Sequence, residues 1–454
     1  MSKDDFAAVT TAVRERVVPT DEERRALRDT ATALTERIRA AVADLPVDAA
    51  VIQVGSTARD TWLAGDRDID LFVAFPPDLD REQLAEYGLK VGHAVLPDGH
   101  EEYAEHPYVV GSYNGYDVDL VPCFDVEDAT AIQSAVDRTP FHTRYLEGRL
   151  DGGLADEARV AKQFCKAIGV YGSDLRTRGF SGFLLELLVC EYGGFRPLVG
   201  AAADWQPPVE FDPGGHAAVS VDDPLVVVDP TDPERNVAAV CSPANVARLQ
   251  HYARELLADP RADLFEPDTP APLDTVTARE HVAARGTTPL AVRFDAPEIV
   301  EDQLWPQLEK SLAGVADELD RRGFGVLRTV ALATDTGADA ALLLELTVAE
   351  LPAVERHEGP PVHVREHAGS FFDAYADTDA YGPFVDGDRY VVERERAVTS
   401  AAAFCESDRL FDVALGTHVE SALREGYEVL VDEAVADLAD PFGAALARYF
   451  APRP

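Results

Sequence analysis

The sequence predicts an α+β protein of several units: a small mixed sheet flanked by helices, a mostly helical unit, and a second α+β unit. Three observations predict it. At 454 residues, 46% of them hydrophobic, the chain has material for about three cores. Its character changes after Arg138, from strand-type alternation to helix-type spacing. A stretch rich in Pro, Asp and Thr, from Asp259 to Thr288, then marks a boundary. Domains are expected at 1–145, 146–260 and 285–454.

The elements follow in order. From about Thr20 to Ala43 apolar residues recur at helical spacing between acid–base pairs, giving a surface helix. DAAVIQVGS (48–56) reads as a strand entering a Gly-Ser turn, and DIDLFVAFPP (68–77) as a second strand stopped by Pro76 and Pro77. Residues 81–96 have helical spacing. HPYVVGSYNGYDVDLVPCF (106–124) reads as a hairpin turning at Asn114-Gly115. Helices are expected at 155–168, 180–193 and 244–257. Beyond the boundary, TPLAVRFDAP (288–297), a helix over 301–322, GFGVLRTVALAT (323–334) and AALLLELTVAEL (340–351) give the order βαββ. That order suggests a ferredoxin-like or RRM-like sheet, without the aromatic signature of an RNA-binding RRM. Residues 361–454 carry further strand and helix signals, ending in an amphipathic helix. No fixed-period repeat interrupts the pattern.

Composition excludes several classes. No apolar run reaches the roughly 18 residues of a membrane span, and the charged N-terminus lacks a secretory h-region. Five cysteines, odd in number and without a CxxC pair, argue against a disulfide framework and a zinc site. A reducing, cytoplasmic setting is the expectation. The formal charge is −41, from 41 basic and 82 acidic residues. Taken literally, that charge opposes nucleic-acid binding, which needs Lys and Arg on phosphates. Yet the acid is dispersed along the chain, and only five of the cations are lysine. This is the pattern of a halophilic protein, working where the Debye length is about 3 Å. Net charge then no longer forbids an anionic partner.

The chemistry concentrates between Val54 and Phe124. In a strand, alternate residues share a face. Asp68 and Asp70 therefore point one way and Ile69 and Leu71 the other; Asp117 and Asp119 likewise share a face opposite Val118 and Leu120. If the two strands are neighbours, at least three carboxylates converge and raise one another's pKa. A divalent cation with all-oxygen coordination, Mg²⁺ above all, resolves the conflict. The Gly55-Ser56 turn offers amides and a hydroxyl to a phosphate, with Arg59 three residues on. Strand, Gly-Ser, Arg, Asp-x-Asp and a later third Asp resemble, in that order, the nucleotidyltransferase superfamily typified by polymerase β.

The flanking residues narrow the resemblance. GSTARDTWLAGDRDIDLF (55–72), the 106–124 hairpin, DRTPFHTRYLEG (137–148), AKQFCKAIGVYGSDLRTRGFSGFLLELLVCEYGGF (161–195), DPTDPERNVAAVCS (229–242) and YGPFVDGDRYVVERER (381–396) resemble archaeal (class I) CCA-adding tRNA nucleotidyltransferases of halophiles. That family adds C, C and A to tRNA 3′ ends from CTP and ATP without a nucleic-acid template. The resemblance implies a metal-binding catalytic triad of Asp68, Asp70 and Asp119, two Mg²⁺ ions, and a phosphate turn of Gly55, Ser56 and Arg59. It implies His142, Lys162 and Tyr171 on the triphosphate, Arg235 on the base, and His106 near the active site. It further implies the tRNA acceptor stem and elbow as partners, and a homodimer. One departure is visible: Asp60 stands where the family commonly has glycine. This is expected to be harmless if residue 60 keeps φ below zero, although it adds a negative charge near the triphosphate.

The residues offer independent support. Arg159, Lys162 and Lys166 recur on one face of the 155–168 helix, in a region (138–196) where nine cations meet seven acids. This face is expected to be a cationic binding surface. Two rival readings remain: a poly(A) polymerase or other terminal RNA nucleotidyltransferase, and a non-catalytic RNA-binding scaffold. The intact aspartates argue against the scaffold.

Overall fold

The structure is a computed structural model and describes residues 3–103 and 105–454. It divides into two compact units, one running to Asp268 with the terminal Pro454, the other spanning Thr269–Arg453.

The first unit begins with helices α1 (Lys3–Val17) and α2 (Asp21–Val42). Thr20 caps α2 in a capping box with Glu23, as Thr-x-x-Glu before a helical pattern requires. Strand β1 (Ala50–Gln53), a short helix α3 (Gly55–Ala58), β2 (Asp68–Phe75), α4 (Arg81–Val95), β3 (His100–Tyr103), β4 (Pro107–Tyr113) and β5 (Tyr116–Phe124) follow. The strands form one mixed sheet in the order β1-β2-β5-β4-β3. The expected hairpin is present: Asn114 and Gly115 both have positive φ, 53° and 77°, as a two-residue turn matched to strand twist demands. Helices α2 and α4 cover one face, where Ile69, Leu71, Val73, Val118 and Leu120 are buried with Leu34, Ile38 and Leu84. Edge strand β3 was not expected from the sequence.

The helical part comprises α5 (Thr139–Glu147), α6 (Gly152–Ala167), α7 (Gly182–Tyr192), α8 (Phe195–Ala202) and α9 (Pro243–Ala258). Between α8 and α9 lies a small sheet of β6 (Val209–Phe211), β7 (Leu225–Asp229) and β8 (Asp232–Asn236), again not expected. Leu225–Asp229 is buried throughout. Its continuous apolar run is what a strand covered on both faces looks like. Helix α1 buries Phe6, Val13 and Val17 in the core formed by α6, α7, α8 and α9, and not against the sheet that follows it in sequence.

The second unit contains α10 (Thr275–Arg285), β9 (Thr288–Asp295), α11 (Glu301–Arg322), β10 (Val326–Ala333) and β11 (Asp339–Leu346). Next come β12 (Val354–Pro361), α12 (Arg365–Tyr375), β13 (Tyr381–Asp386) and β14 (Arg389–Glu395). The unit ends with α13 (Ala401–Cys405), α14 (Thr417–Glu425), β15 (Glu428–Val431) and α15 (Ala439–Phe450). The antiparallel order β10-β11-β9-β15 is the ferredoxin-like arrangement that βαββ suggested. A separate sheet, β12-β14-β13, is inserted before its second helix and fourth strand.

Candidate active site

The carboxylates occupy the start of two neighbouring strands. β2 and β5 pair in parallel, with Asp68 opposite Asp117 and Asp70 opposite Asp119, on strands about 4.8 Å apart. The face carrying them continues as Phe72, Ala74, Val121 and Cys123, which bury themselves with Val54. Alternation thus sets the acids at the border between water and an apolar patch. Burial first, then the neighbouring Asp68 charge, pushes Asp70 up to about 6. Burial and then the Asp70 charge push Asp119 up to about 6 as well. Asp68 is raised, by burial and then by Asp66 and Asp117.

The Gly55-Ser56 turn leans on these acids. Gly55 has φ of 74°, and a Cβ added there would lie 1.9 Å from Asp70 Oδ2, so only glycine fits both conformation and space. Val54 N–H donates to the Asp70 carbonyl at 3.0 Å, and Thr61 N–H donates to the Ser56 carbonyl at 2.9 Å, closing the turn. Among the described residues no three His, Cys, Asp or Glu side chains are already gathered at ligand distances. The donor set nevertheless fits a hard, oxygen-preferring cation: half-buried Asp70 and Asp119 beside exposed Asp68, carboxylates that resist ionising together, with a side-chain-free approach at Gly55.

The cationic face of α6 corrects the expectation of a binding surface. Arg159 and Lys162 are only 1% and 2% exposed. Arg159 Nε donates to the Trp62 carbonyl at 2.9 Å, and its Nη2 donates to the Asp60 carbonyl. Lys162 Nζ donates to the Thr61 carbonyl and hydroxyl, both at 3.0 Å, and to Glu186 Oε1 at 2.6 Å. Three consecutive carbonyls after the Gly55-Ser56 turn are thus held by two cations of one helix. Lys162, expected on the triphosphate, has its ammonium engaged with Thr61 and Glu186 here. Lys166 is partly exposed and pairs with Asp66 at 3.4 Å. Arg59 donates to Glu186 Oε2 at 2.6 Å and to Thr143 Oγ1 at 3.3 Å.

Asp60 corrects a second expectation. Its φ is +53°, the left-handed region that suits glycine and that Asp also tolerates. Its carboxylate pairs with Arg24 and, at 2.9 Å, with Arg159, so its charge is compensated within the protein.

His142 and Arg235 meet at Asp229, at the end of β7. His142 Nε2 bonds Asp229 Oδ2 at 2.7 Å and stacks on Phe183 with ring centroids 3.9 Å apart. Arg235 Nη1 donates to the same oxygen at 2.8 Å. Asp229 is fully buried; against the effect of burial, its bonds to His142 and Thr231 hold its carboxyl well below the usual range. Burial lowers His142 despite Asp229. Tyr171 lies beside Gly182, where an added Cβ would come within 3.1 Å of its hydroxyl oxygen, and burial raises its phenol. Lys166 Nζ sits 5.4 Å from the Tyr171 ring.

His106 lies elsewhere. Buried at the entry to β4, it bonds Ser134 Oγ at 3.2 Å and meets the Phe124 ring edge-on. Phe124 is five residues along β5 from Asp119, about 17 Å at strand rise. Sequence reasoning missed Glu186 and Asp229, although each left a signal: a single carboxylate within the apolar run GFLLELLV, and one closing LVVVD.

Comparison with known proteins matches these regions in order. The nucleotidyltransferase domain family matches residues 35–142, the second domain of tRNA nucleotidyltransferases 156–266, and the C-terminal domain of CCA-adding enzymes 285–432. The CCA-adding enzyme of Haloarcula marismortui is 63% identical, covering 99% of this chain and 100% of its own. That of Halorubrum lacusprofundi is 62% identical over the same shares, and that of Methanoregula boonei 43%, covering 96% and 93%. A solved Cid1 poly(U) polymerase covers 58% of this chain and 99% of its own, with a TM-score of 0.46 and 15% identity. Identity of this degree along the full length, with each region matched in turn, places the chain in the family of CCA-adding enzymes.

Proposed function

We propose that the chain completes tRNA 3′ ends, adding C, C and A from CTP and ATP without a nucleic-acid template and releasing pyrophosphate, with Asp68, Asp70 and Asp119 at the reacting centre. The observation that carries this reading is the register pairing of Asp70 with Asp119 beside the left-handed Gly55 turn. These three carboxylates would hold Mg²⁺, two ions in the fullest form of the reading. Bound there, the metal supplies Lewis-acid stabilisation of the charge on the attacking and departing oxygens. The chain's own residues do the remainder. The Gly55-Ser56 turn and Arg59 receive the triphosphate with fixed donors, an arrangement whose value lies in preorganisation. Asp229 holds His142 and Arg235 by one oxygen, so phosphate-side and base-side groups share an anchor. Arg235, partly exposed, presents donors to a Watson–Crick edge.

The matched regions support three domains, catalytic (1–145), nucleotide-recognising (146–260) and tRNA-binding (285–454), the last gripping the elbow by shape and phosphate contacts. The test uses molar KCl with Mg²⁺ and a tRNA transcript ending at the discriminator base. Growth by two residues with CTP and by three with CTP plus ATP is expected. A long tail from ATP alone would instead identify a poly(A) polymerase.

A further inference from the structure

The geometry points to Glu186 as a positioning residue for nucleotide binding, one that sets the phosphate turn by holding both of its flanking cations. The inference rests on the nucleotide reading above and names a residue that reading does not use. Glu186 projects from the middle of α7, whose other buried side chains are apolar, and is 0% exposed. One oxygen accepts from Arg59 Nε at 2.6 Å. The other accepts from Lys162 Nζ at 2.6 Å and from the Thr61 hydroxyl. Arg59 and Thr61 bracket the residue that follows the turn, and Thr61 N–H closes the turn on the Ser56 carbonyl. Glu186 thus reaches from the helical part to the loop that closes the Gly55-Ser56 turn beside Asp70.

As a device for stability, the cluster is a poor choice. A buried ion pair is often matched or bettered by well-packed apolar side chains, and the other buried side chains of α7 are of that kind. Its distinctive effect is on orientation. Two cations side by side in a dry site repel unless a carboxylate lies between them. With Glu186 present, Arg59 is fixed at one nitrogen by a bond that leaves its fork directed by Thr143 on α5. Without it, Arg59 and Lys162 separate, Thr61 loses a partner, and the turn shifts relative to Asp70. Displacements of about 1 Å in such sites cost up to about 100-fold.

The experiment compares wild type with Glu186→Gln in molar KCl and Mg²⁺. It measures CTP binding by calorimetry, KM for CTP and for tRNA, and the melting midpoint. The expected result is CTP binding and KM weakened at least about 10-fold, with KM for tRNA unchanged in a folded variant. A merely structural role would lower the midpoint and leave the ratio of the two KM values alone. A folded variant that binds CTP as wild type does would overturn the inference. If the Gln variant does not fold, Glu186→Asp keeps the charge but shortens its reach, and the same two outcomes decide. A wild-type chain that binds no CTP would overturn the nucleotide reading, and this inference with it.

Discussion

Replacing Asp70 with asparagine should destroy nucleotide incorporation and at the same time stabilise the fold. Asp70 is mostly buried beside Asp68, and its carboxyl is pushed up from an ordinary 3.8 to about 6. In the unfolded chain it titrates at its ordinary value. Between those values the folded protein keeps a proton that the unfolded chain has lost, so stability falls as pH rises through the window. Above pH 6 the full penalty applies. At about 1.4 kcal/mol per pH unit it amounts to about 3 kcal/mol. Asparagine has the same shape and no charge, and its presence also relieves Asp119, which Asp70 raises. Asp70→Asn should therefore exceed wild type by about 2–3 kcal/mol at pH 7.5 without metal, and match it below pH 4. For a unit of this size that is roughly 5–10 °C in melting midpoint. Thermal melts of both proteins across pH 4–8, in molar KCl with chelator, measure the gap. Adding Mg²⁺ should narrow it by raising wild type alone. A gap that is absent at pH 7.5, or that does not change with pH, would refute the electrostatic account.

Three other outcomes follow from the same geometry. Gly55→Ala forces a Cβ into the space of Asp70 Oδ2 at a φ of 74°; it should lose about 1–2 kcal/mol of stability and at least 100-fold in single-turnover CMP incorporation. Asp60→Gly keeps the left-handed backbone but removes the pairs with Arg24 and Arg159. Melts should show a loss of about 1 kcal/mol, while incorporation stays within a few-fold of wild type. Dialysis from molar KCl into dilute buffer should unfold the protein by circular dichroism, because a charge of −41 repels itself once screening is removed; a spectrum indifferent to salt would count against the halophilic reading.

Strand alternation made the carboxylate face readable in advance. With Ile69 and Leu71 committed to a core, Asp68 and Asp70 had only one other direction. The parallel pairing that sets Asp70 against Asp119 was not readable, because alternation fixes faces and leaves the choice of neighbour to the tertiary fold. The cations of α6 misled for a related reason. Helical spacing gathers Arg159, Lys162 and Lys166 on one face but is silent about what covers it: Arg159 and Lys162 are covered by the Asp60 and Glu186 carboxylates and by three backbone carbonyls from the 60–62 loop. The carbonyls belong to every sequence and so leave no mark in any. Asp60 departed from expectation as well. A φ below zero was reckoned with, whereas the backbone there is left-handed and the carboxylate makes two ion pairs, neither of which local sequence specifies.

The clamp formed by Arg159, Lys162 and Glu186 has a consequence for transplanting this chain to a host with ordinary cytoplasm. Mobile ions screen exposed charges strongly and enclosed ones very little. The surface acids and the enclosed clamp therefore respond to ionic strength as two separate systems. Swapping exposed Asp and Glu for neutral residues, away from the clamp and from Asp68, Asp70 and Asp119, alters the first system and leaves the second as it stands. Adaptation to fresh water is then a repainting of the exterior, with the machinery carried across intact.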